Sequence, residues 1–220
     1  MDLLVAAATE LECARVKDRV RTIVTGVGQV NMAHALTLAI EKQRPEGIVV
    51  IGIGGAYPES GLAIGDVVSA ESETFGDLGV ETPDGFLELT RFLQKTFHQT
   101  MFFTRRRAKF VTVSTCTGTD ELSAKIQART QGEVENMEGA AAAQIAARYG
   151  IPMGEIRGIS NFTGNRNFPS WRIEDAAAAT VAAVEHGEPG IYQVVDDDPA
   201  PAREWVPALA NELHAKPPRQ

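Results

Sequence analysis

The chain has little with which to build a metal centre or a disulfide framework. Its two cysteines, Cys13 and Cys116, stand far apart and outside any CxxC or Cys/His spacing, and the four histidines (His34, His98, His186, His214) are scattered. No zinc site is expected from such a set, and free thiols fit a reducing cytoplasm. Positive charge is also short, with 21 Lys and Arg against 29 Asp and Glu for a net charge of −8. That argues against a general nucleic-acid binder, which needs a basic face to meet phosphates, but leaves room for a small neutral ligand. Long apolar runs are missing too. Met1-Asp2-Leu3-Leu4-Val5 is interrupted by Glu10 and Glu12, and no later run matches a bilayer's thickness, so neither a signal peptide nor a membrane segment is expected and the chain reads as cytoplasmic.

What is there is an ordinary globular composition, 44% hydrophobic over 220 residues, enough for one well-buried α/β domain. Short apolar runs at Leu3–Ala8, Thr22–Thr25, Ile48–Ile53, Asp66–Ala70, Phe110–Ser114, Glu133–Asn136 and Ile156–Ile159 predict strands. Helical spacing predicts helices over Asn31–Gln43, Glu121–Thr130, Gly139–Tyr149 and Ile173–Val184, with Gly150 and Pro152 stopping the third. Strands alternating with helices predict a three-layer α/β/α sandwich around a mixed central sheet. Residues 75–107 are the least readable stretch, with a turn signal at Pro83-Asp84-Gly85 and an aromatic-rich run beyond it. Composition shifts from His186 onward, so the chain divides into a domain over 1–185 and a tail over 186–220.

Groups that do chemistry on an α/β sheet sit at the C-terminal ends of its strands. Three polar residues follow predicted strands here: Glu12, Glu138 and Asn161. Cleaving an N-glycosidic bond needs such a set: a carboxylate to activate water, a negative group for the oxocarbenium-like sugar, and a donor for the departing base. Each residue also has a plainer reading. Glu12 suits a solvated acid near a helix start, Glu138 an acid favoured by a helix dipole, and Asn161 a turn or cap.

Taken in order, Thr9-Glu10-Leu11-Glu12, Thr25-Gly26-Val27-Gly28-Gln29-Val30-Asn31, Gly52-Ile53-Gly54-Gly55-Ala56-Tyr57-Pro58, Gly65-Asp66-Val67-Val68, Phe75 to Glu81, Glu135-Asn136-Met137-Glu138-Gly139, Ile159-Ser160-Asn161 and Trp171-Arg172-Ile173 resemble the nucleoside phosphorylase/nucleosidase superfamily. Within it the resemblance is to the futalosine hydrolases of menaquinone biosynthesis, and it covers residues 1 to about 176. It implies that Glu12 positions the attacking water, that Met137 and Glu138 hold the ribose, that Gly54 and Gly55 form a glycine turn against the nucleoside, and that Trp171 covers the ligand. Ordinary core is the alternative for Trp171. It also implies a homo-oligomer, with a dimer as the working expectation, and no cofactor. Adenine-specific members carry Asp where this chain has Asn161. A carboxamide offers an N–H to the N7/O6 edge of a 6-oxopurine, so hypoxanthine fits better than adenine.

Other readings stand lower. A methylthioadenosine/S-adenosylhomocysteine nucleosidase, a purine nucleoside phosphorylase and a non-catalytic nucleoside binder share the pattern, but no Arg or Lys follows the glycines to receive a phosphate. Gly26-Val27-Gly28-Gln29-Val30-Asn31 falls one glycine short of a dinucleotide fingerprint. The tail from Gly187 resembles the C-terminal region of NAD-dependent epimerase/dehydratases, without their nucleotide-binding half or a Tyr-x-x-x-Lys pair. Arg105-Arg106-Arg107 and Asp196-Asp197-Asp198 read as solvated turns. The pocket for the ribose 5′ substituent is expected within 75–107. Only about a dozen residues separate Glu12 from Thr25, short for this family.

Overall fold

A computed structural model describes residues 2–89 and 93–186. The tail reading therefore lies, beyond its first residue, outside the described residues. Strands β1 (Leu3–Ala7), β2 (Thr22–Val24), β3 (Gly47–Ala56), β4 (Val67–Phe75), β7 (Thr96–His98), β8 (Arg107–Thr112), β9 (Val134–Asn136) and β10 (Met153–Phe162) form one sheet, while β5 (Gly79–Thr82) and β6 (Gly85–Glu88) form a separate hairpin. The helices are α1 (Glu10–Cys13), α2 (Gln29–Lys42), α3 (Asp120–Thr130), α4 (Gly139–Tyr149) and α5 (Ile173–His186).

Alternation along the central strands sets the layers. Leu4, Ala6, Ile48 and Val50 point to one face and pack with Met32, Leu36 and Ile40 of α2 and the alanines of α4. Val5, Ala7, Val49 and Ile51 point to the other, against Cys13, Val16 and Ala179 and Val181 of α5. Strands apolar on both faces must be covered on both, and this gives the expected α/β/α sandwich. The sheet is mixed: β1 pairs parallel with β2 and β3, and β3 with β10, while β10–β4, β3–β9 and β4–β7 are antiparallel.

The sequence did not reveal that part of this sheet closes on itself. β10 pairs with both β3 and β4, β4 pairs with β8, β8 with β9, and β9 returns to β3. Closure gathers the ends of β3, β9 and β10 around one opening. Two close approaches hold the helices tight to it. A Cβ at Gly158 would strike the backbone of Ala176 in α5, and one at Gly139, the first residue of α4, would strike the carboxylates of Glu73 and Glu155.

The segment after β1 is short but closed. Thr9 caps α1 in a reciprocal capping box with Glu12, and turns lead straight to β2. Gly54 and Gly55 do not form the expected turn: they lie inside β3, whose ladder continues because β9 and β10 pair with it on either side as far as Ala56. Their small size still matters, because a Cβ on Gly54 would sit 2.6 Å from Val134 Cγ1.

Candidate active site

A cavity of about 520 Å³ opens at the ends of β1, β3, β9 and β10. Glu12, Gly54, Gly55, Met137, Glu138, Asn161 and Trp171, all singled out from sequence, line it together. None of the lining residues comes from 75–107. The expected location of a substituent pocket there is not seen among the described residues, because β5 and β6 form their own hairpin and β7 lies against β4.

Glu12 is buried, and three donors orient it. Its Oε2 accepts from Thr9 N at 2.9 Å and Thr9 Oγ1 at 2.8 Å, and its Oε1 accepts from Ile53 N at 3.0 Å. Glu12 is therefore not the solvated acid of the plainer reading: the bonds that close the helix end also aim a buried carboxylate into the cavity. With three acceptor positions filled, one of the roughly four lone-pair sites of a carboxylate stays open.

Glu138 is the N-cap of α4, yet its side chain makes no capping bond. Oε1 instead accepts from Gly28 N at 3.0 Å, and Oε2 from Arg157 Nη2 at 3.3 Å. Gly28 has φ 99°, a conformation that favours glycine, and its amide serves Glu138 rather than any phosphate. The near-miss dinucleotide motif therefore has a local structural use.

Arg157 escaped the sequence reading. It is buried at 2% exposure, with Nε donating to Glu155 at 2.8 Å, Nη1 to the Ile53 carbonyl at 3.0 Å, and Nη2 to Glu138. A Cβ on Gly52 would sit 2.6 Å from both Arg157 Nη1 and Glu12 Oε1, so this guanidinium lies between the two candidate catalytic carboxylates. Burial alone would lower its pKa, but the charges of Glu155, Glu138 and Glu12 outweigh burial and keep it protonated. The signal was present: Glu155 and Arg157 alternate with apolar residues in a strand, and such charges are buried only when paired.

Behind Arg157 lies a second acid pair, Glu73 and Glu155, both fully buried beneath Gly139. Burial and the charge of Glu155 push the Glu73 carboxyl well above the carboxylate range; burial also raises Glu155, opposed by Arg157. Burial thus favours the protonated form of Glu73, which lies beside Glu155, whose Oε2 has no hydrogen-bond partner among the described residues. A folded pKa above the unfolded one contributes stability at low pH that is lost as pH rises through the folded value. Replacing Glu73 with glutamine, which keeps a donor and cannot ionise, is expected to flatten this loss between pH 5 and pH 8. Urea midpoints at the two pH values measure it, and equal slopes for the two proteins would contradict a raised Glu73 carboxyl.

At the other end of the cavity, Asn161 donates through Nδ2 to the Phe162 carbonyl at 2.9 Å and accepts from Ser160 Oγ at 2.8 Å, leaving one N–H unused. A register shift between Ile159 and Asn161 turns this side chain over Gly55. Trp171 is not core: it packs against Phe168 in a tilted pair at a centroid separation of 5.2 Å, with the Arg166 guanidinium 4.7 Å from its ring centroid. Among the described residues no group of His, Cys, Asp or Glu is arranged to hold a metal ion, and no helix is long and apolar enough to cross a membrane.

Fold and site together define an α/β protein with a cavity at its strand ends, lined by buried carboxylates and a carboxamide. The chain belongs to the phosphorylase superfamily, whose profile matches residues 6–186. It is 37% identical over 187 residues to the futalosine hydrolase of Streptomyces coelicolor, covering 77% of this chain and 79% of that one. Against the futalosine hydrolase of Thermus thermophilus the identity is 31%, over 73% of this chain and 77% of that one. Among solved structures, the 5′-methylthioadenosine/S-adenosylhomocysteine nucleosidase of Streptococcus pneumoniae, bound to a transition-state inhibitor, matches with a TM-score of 0.74 at 18% identity, over 85% of this chain and 98% of that one.

Proposed function

We propose that this chain hydrolyses the N-glycosidic bond of futalosine, releasing hypoxanthine, as a step of menaquinone biosynthesis. The observation that carries the reading is the joint placement of Glu12, Glu138 and Asn161 in one cavity, together with the similarity to futalosine hydrolases. Glu12 is the general base. Its open lone pair takes a proton from water as the water oxygen bonds to the anomeric carbon. The electrons of the breaking C–N bond pass to the base, which leaves as an anion stabilised by Asn161 donating to its N7/O6 edge and takes a proton from solvent, while Glu12 returns to solvent the proton it took from water. Glu138 has one open acceptor position on each oxygen for ribose hydroxyls, and its charge stabilises the oxocarbenium-like sugar. Met137 packs on the ribose, Trp171 covers the ligand, and Gly54 and Gly55 let the backbone approach it. No metal or organic cofactor is needed in this scheme.

Hydrolysis is favoured over phosphorolysis by charge. Arg157, the cation nearest the candidate catalytic carboxylates, is already paired with Glu138 and Glu155, and an incoming phosphate would face Glu12 and Glu138. We assign residues 1–185 as the catalytic domain and 186–220 as an appendage, and place the enzyme in the cytoplasm as a homo-oligomer.

The test compares kcat/KM for futalosine, inosine and methylthioadenosine. Hypoxanthine release from futalosine is expected to dominate, and faster adenine release would overturn the substrate assignment. Asn161→Asp supplies a group that can protonate N7 and is expected to shift preference toward adenine nucleosides. An unchanged preference would remove Asn161 from base recognition.

A further inference from the structure

Glu135 lies beside this machinery and the scheme above does not use it. It lines the cavity, is only 7% exposed, and is held firmly: Oε1 accepts from Thr117 N at 2.9 Å and Thr117 Oγ1 at 3.1 Å, and Oε2 accepts from Tyr57 Oη at 2.9 Å. Burial raises its pKa, but the Thr117 and Tyr57 bonds favour the ionised form. Burial and the Glu135 charge push the Tyr57 phenol well above its ordinary range, so it stays a donor. With two donors on Oε1 and one on Oε2, the carboxylate keeps an acceptor position open on Oε2.

The sheet sets where that position lies. Gly55 is the register partner of Glu135 in β9 on one side and of Asn161 in β10 on the other, so the three residues form one row across adjacent strands. Neighbouring strands are about 4.8 Å apart, which puts the Glu135 and Asn161 backbones roughly 10 Å apart, with a glycine at the position between them. A Cβ on Gly55 would fill that gap, lying 3.1 Å from Asn161 Nδ2 and from Thr163 Cγ2. The slot thus presents an N–H from one wall and a carboxylate lone pair from the other.

We infer that Glu135 is a specificity-determining residue that accepts the N1–H of a 6-oxopurine while Asn161 donates to its O6/N7 edge. The inference rests on the purine nucleosidase reading of the site. Hypoxanthine presents an acceptor at O6 and a donor at N1. Adenine presents the reverse, a donor at N6 and an acceptor at N1, so its N1 lone pair would face the Glu135 carboxylate. A buried polar group left unpaired by the wrong ligand discriminates far more strongly than a change of shape.

The test is calorimetric binding of hypoxanthine, 1-methylhypoxanthine and adenine to the wild-type protein and to Glu135→Gln. Wild type is expected to bind hypoxanthine roughly 100-fold or more tightly than the other two bases, the scale of discrimination by an unpaired buried group. In Glu135→Gln the carboxamide can donate to adenine N1, so adenine is expected to gain and hypoxanthine to lose until their order narrows to a few-fold or inverts. A purely structural role, pinning Thr117 and Tyr57, would weaken all bases alike. Wild-type preference retained by Glu135→Gln, or 1-methylhypoxanthine bound by wild type as well as hypoxanthine, would overturn the inference; the second comparison needs no variant. Either result alongside hypoxanthine release from futalosine leaves the proposed function standing. A protein that prefers hypoxanthine through Glu135 but hydrolyses nothing would overturn only the proposed function. Absence of any base binding by wild type would overturn the inference, while base release from futalosine would still decide the proposed function.

Discussion

Glu12→Gln is expected to lower the rate of base release about 1,000-fold, within the range of a lost general base, while hypoxanthine binding stays within a few-fold of wild type. The amide retains an oxygen for Ile53 N, but its NH2 would face the Thr9 amide or hydroxyl that now donates to Glu12. The capping box is therefore weakened as well, at a cost of about 1 kcal/mol. This separates the two roles of one carboxylate. A residue that only caps α1 would show the stability loss with turnover intact, and one that also activates water loses turnover far beyond anything a 1 kcal/mol change explains. Steady-state base release, calorimetric hypoxanthine binding and a urea melt on one preparation measure all three effects. Turnover within tenfold of wild type would remove Glu12 from catalysis.

Arg157→Met is expected to cost about 3–5 kcal/mol of folding stability, because it strands buried carboxylates without their counter-charge. Glu138 and Glu155 both bond to this guanidinium, and the charge of Glu12 also acts on it. The sign of the pH dependence follows. Carboxylates stripped of their partner have folded pKa values above the unfolded ones, so their penalty is present at high pH and fades as they take up protons on acidification. The deficit of the variant is accordingly larger at pH 8 than at pH 5. Arg157→Lys keeps the charge but not the planar fork that reaches three partners, and should fall between. Urea midpoints for the three proteins across pH measure this. A methionine variant as stable as wild type at pH 8 would mean that the acids relax or protonate freely, and that Arg157 does not organise the site.

How far the sequence was readable depended on whether polarity and apolar pattern agreed. α4 matched at both ends, 139 to 149, because an alanine-rich run begins at Gly139 and Gly150 ends it, adopting φ 62° at the C-cap. β10 was expected over 156–159 and extends over Met153–Phe162. Glu155, Arg157, Ser160 and Asn161 break its apolar pattern, yet all four are buried, bonded to one another, to Glu138 or to backbone carbonyls, with Glu155 Oε2 alone left without a partner among these four. β3 likewise runs on through glycines that read as a turn, because sheet pairing on both sides outweighs local preference. The stretch 75–107 stayed opaque because its strands are short and partly exposed, with Val80 and Leu87 facing outward on the hairpin; Asp84-Gly85 was its legible signal, and Gly85 sits at φ 120° in that turn. In the site, the residues next to glycine-rich strand ends were found from motif order. Glu73 was missed because its partners Thr112 and Asn136 lie on other strands, which leaves no periodic trace in its own segment, whereas Glu155 and Arg157, paired within β10, carried a signal in their alternation with apolar residues.

The most direct test of the account is a comparison of hypoxanthine release from futalosine by the wild-type protein in phosphate-free buffer and in buffer with phosphate added, with the sugar product identified in each. Buried carboxylates facing the anomeric carbon, with the nearest cation already paired, predict equal rates in the two buffers and a product bearing a free anomeric hydroxyl. Release that requires phosphate and yields the sugar 1-phosphate would contradict it.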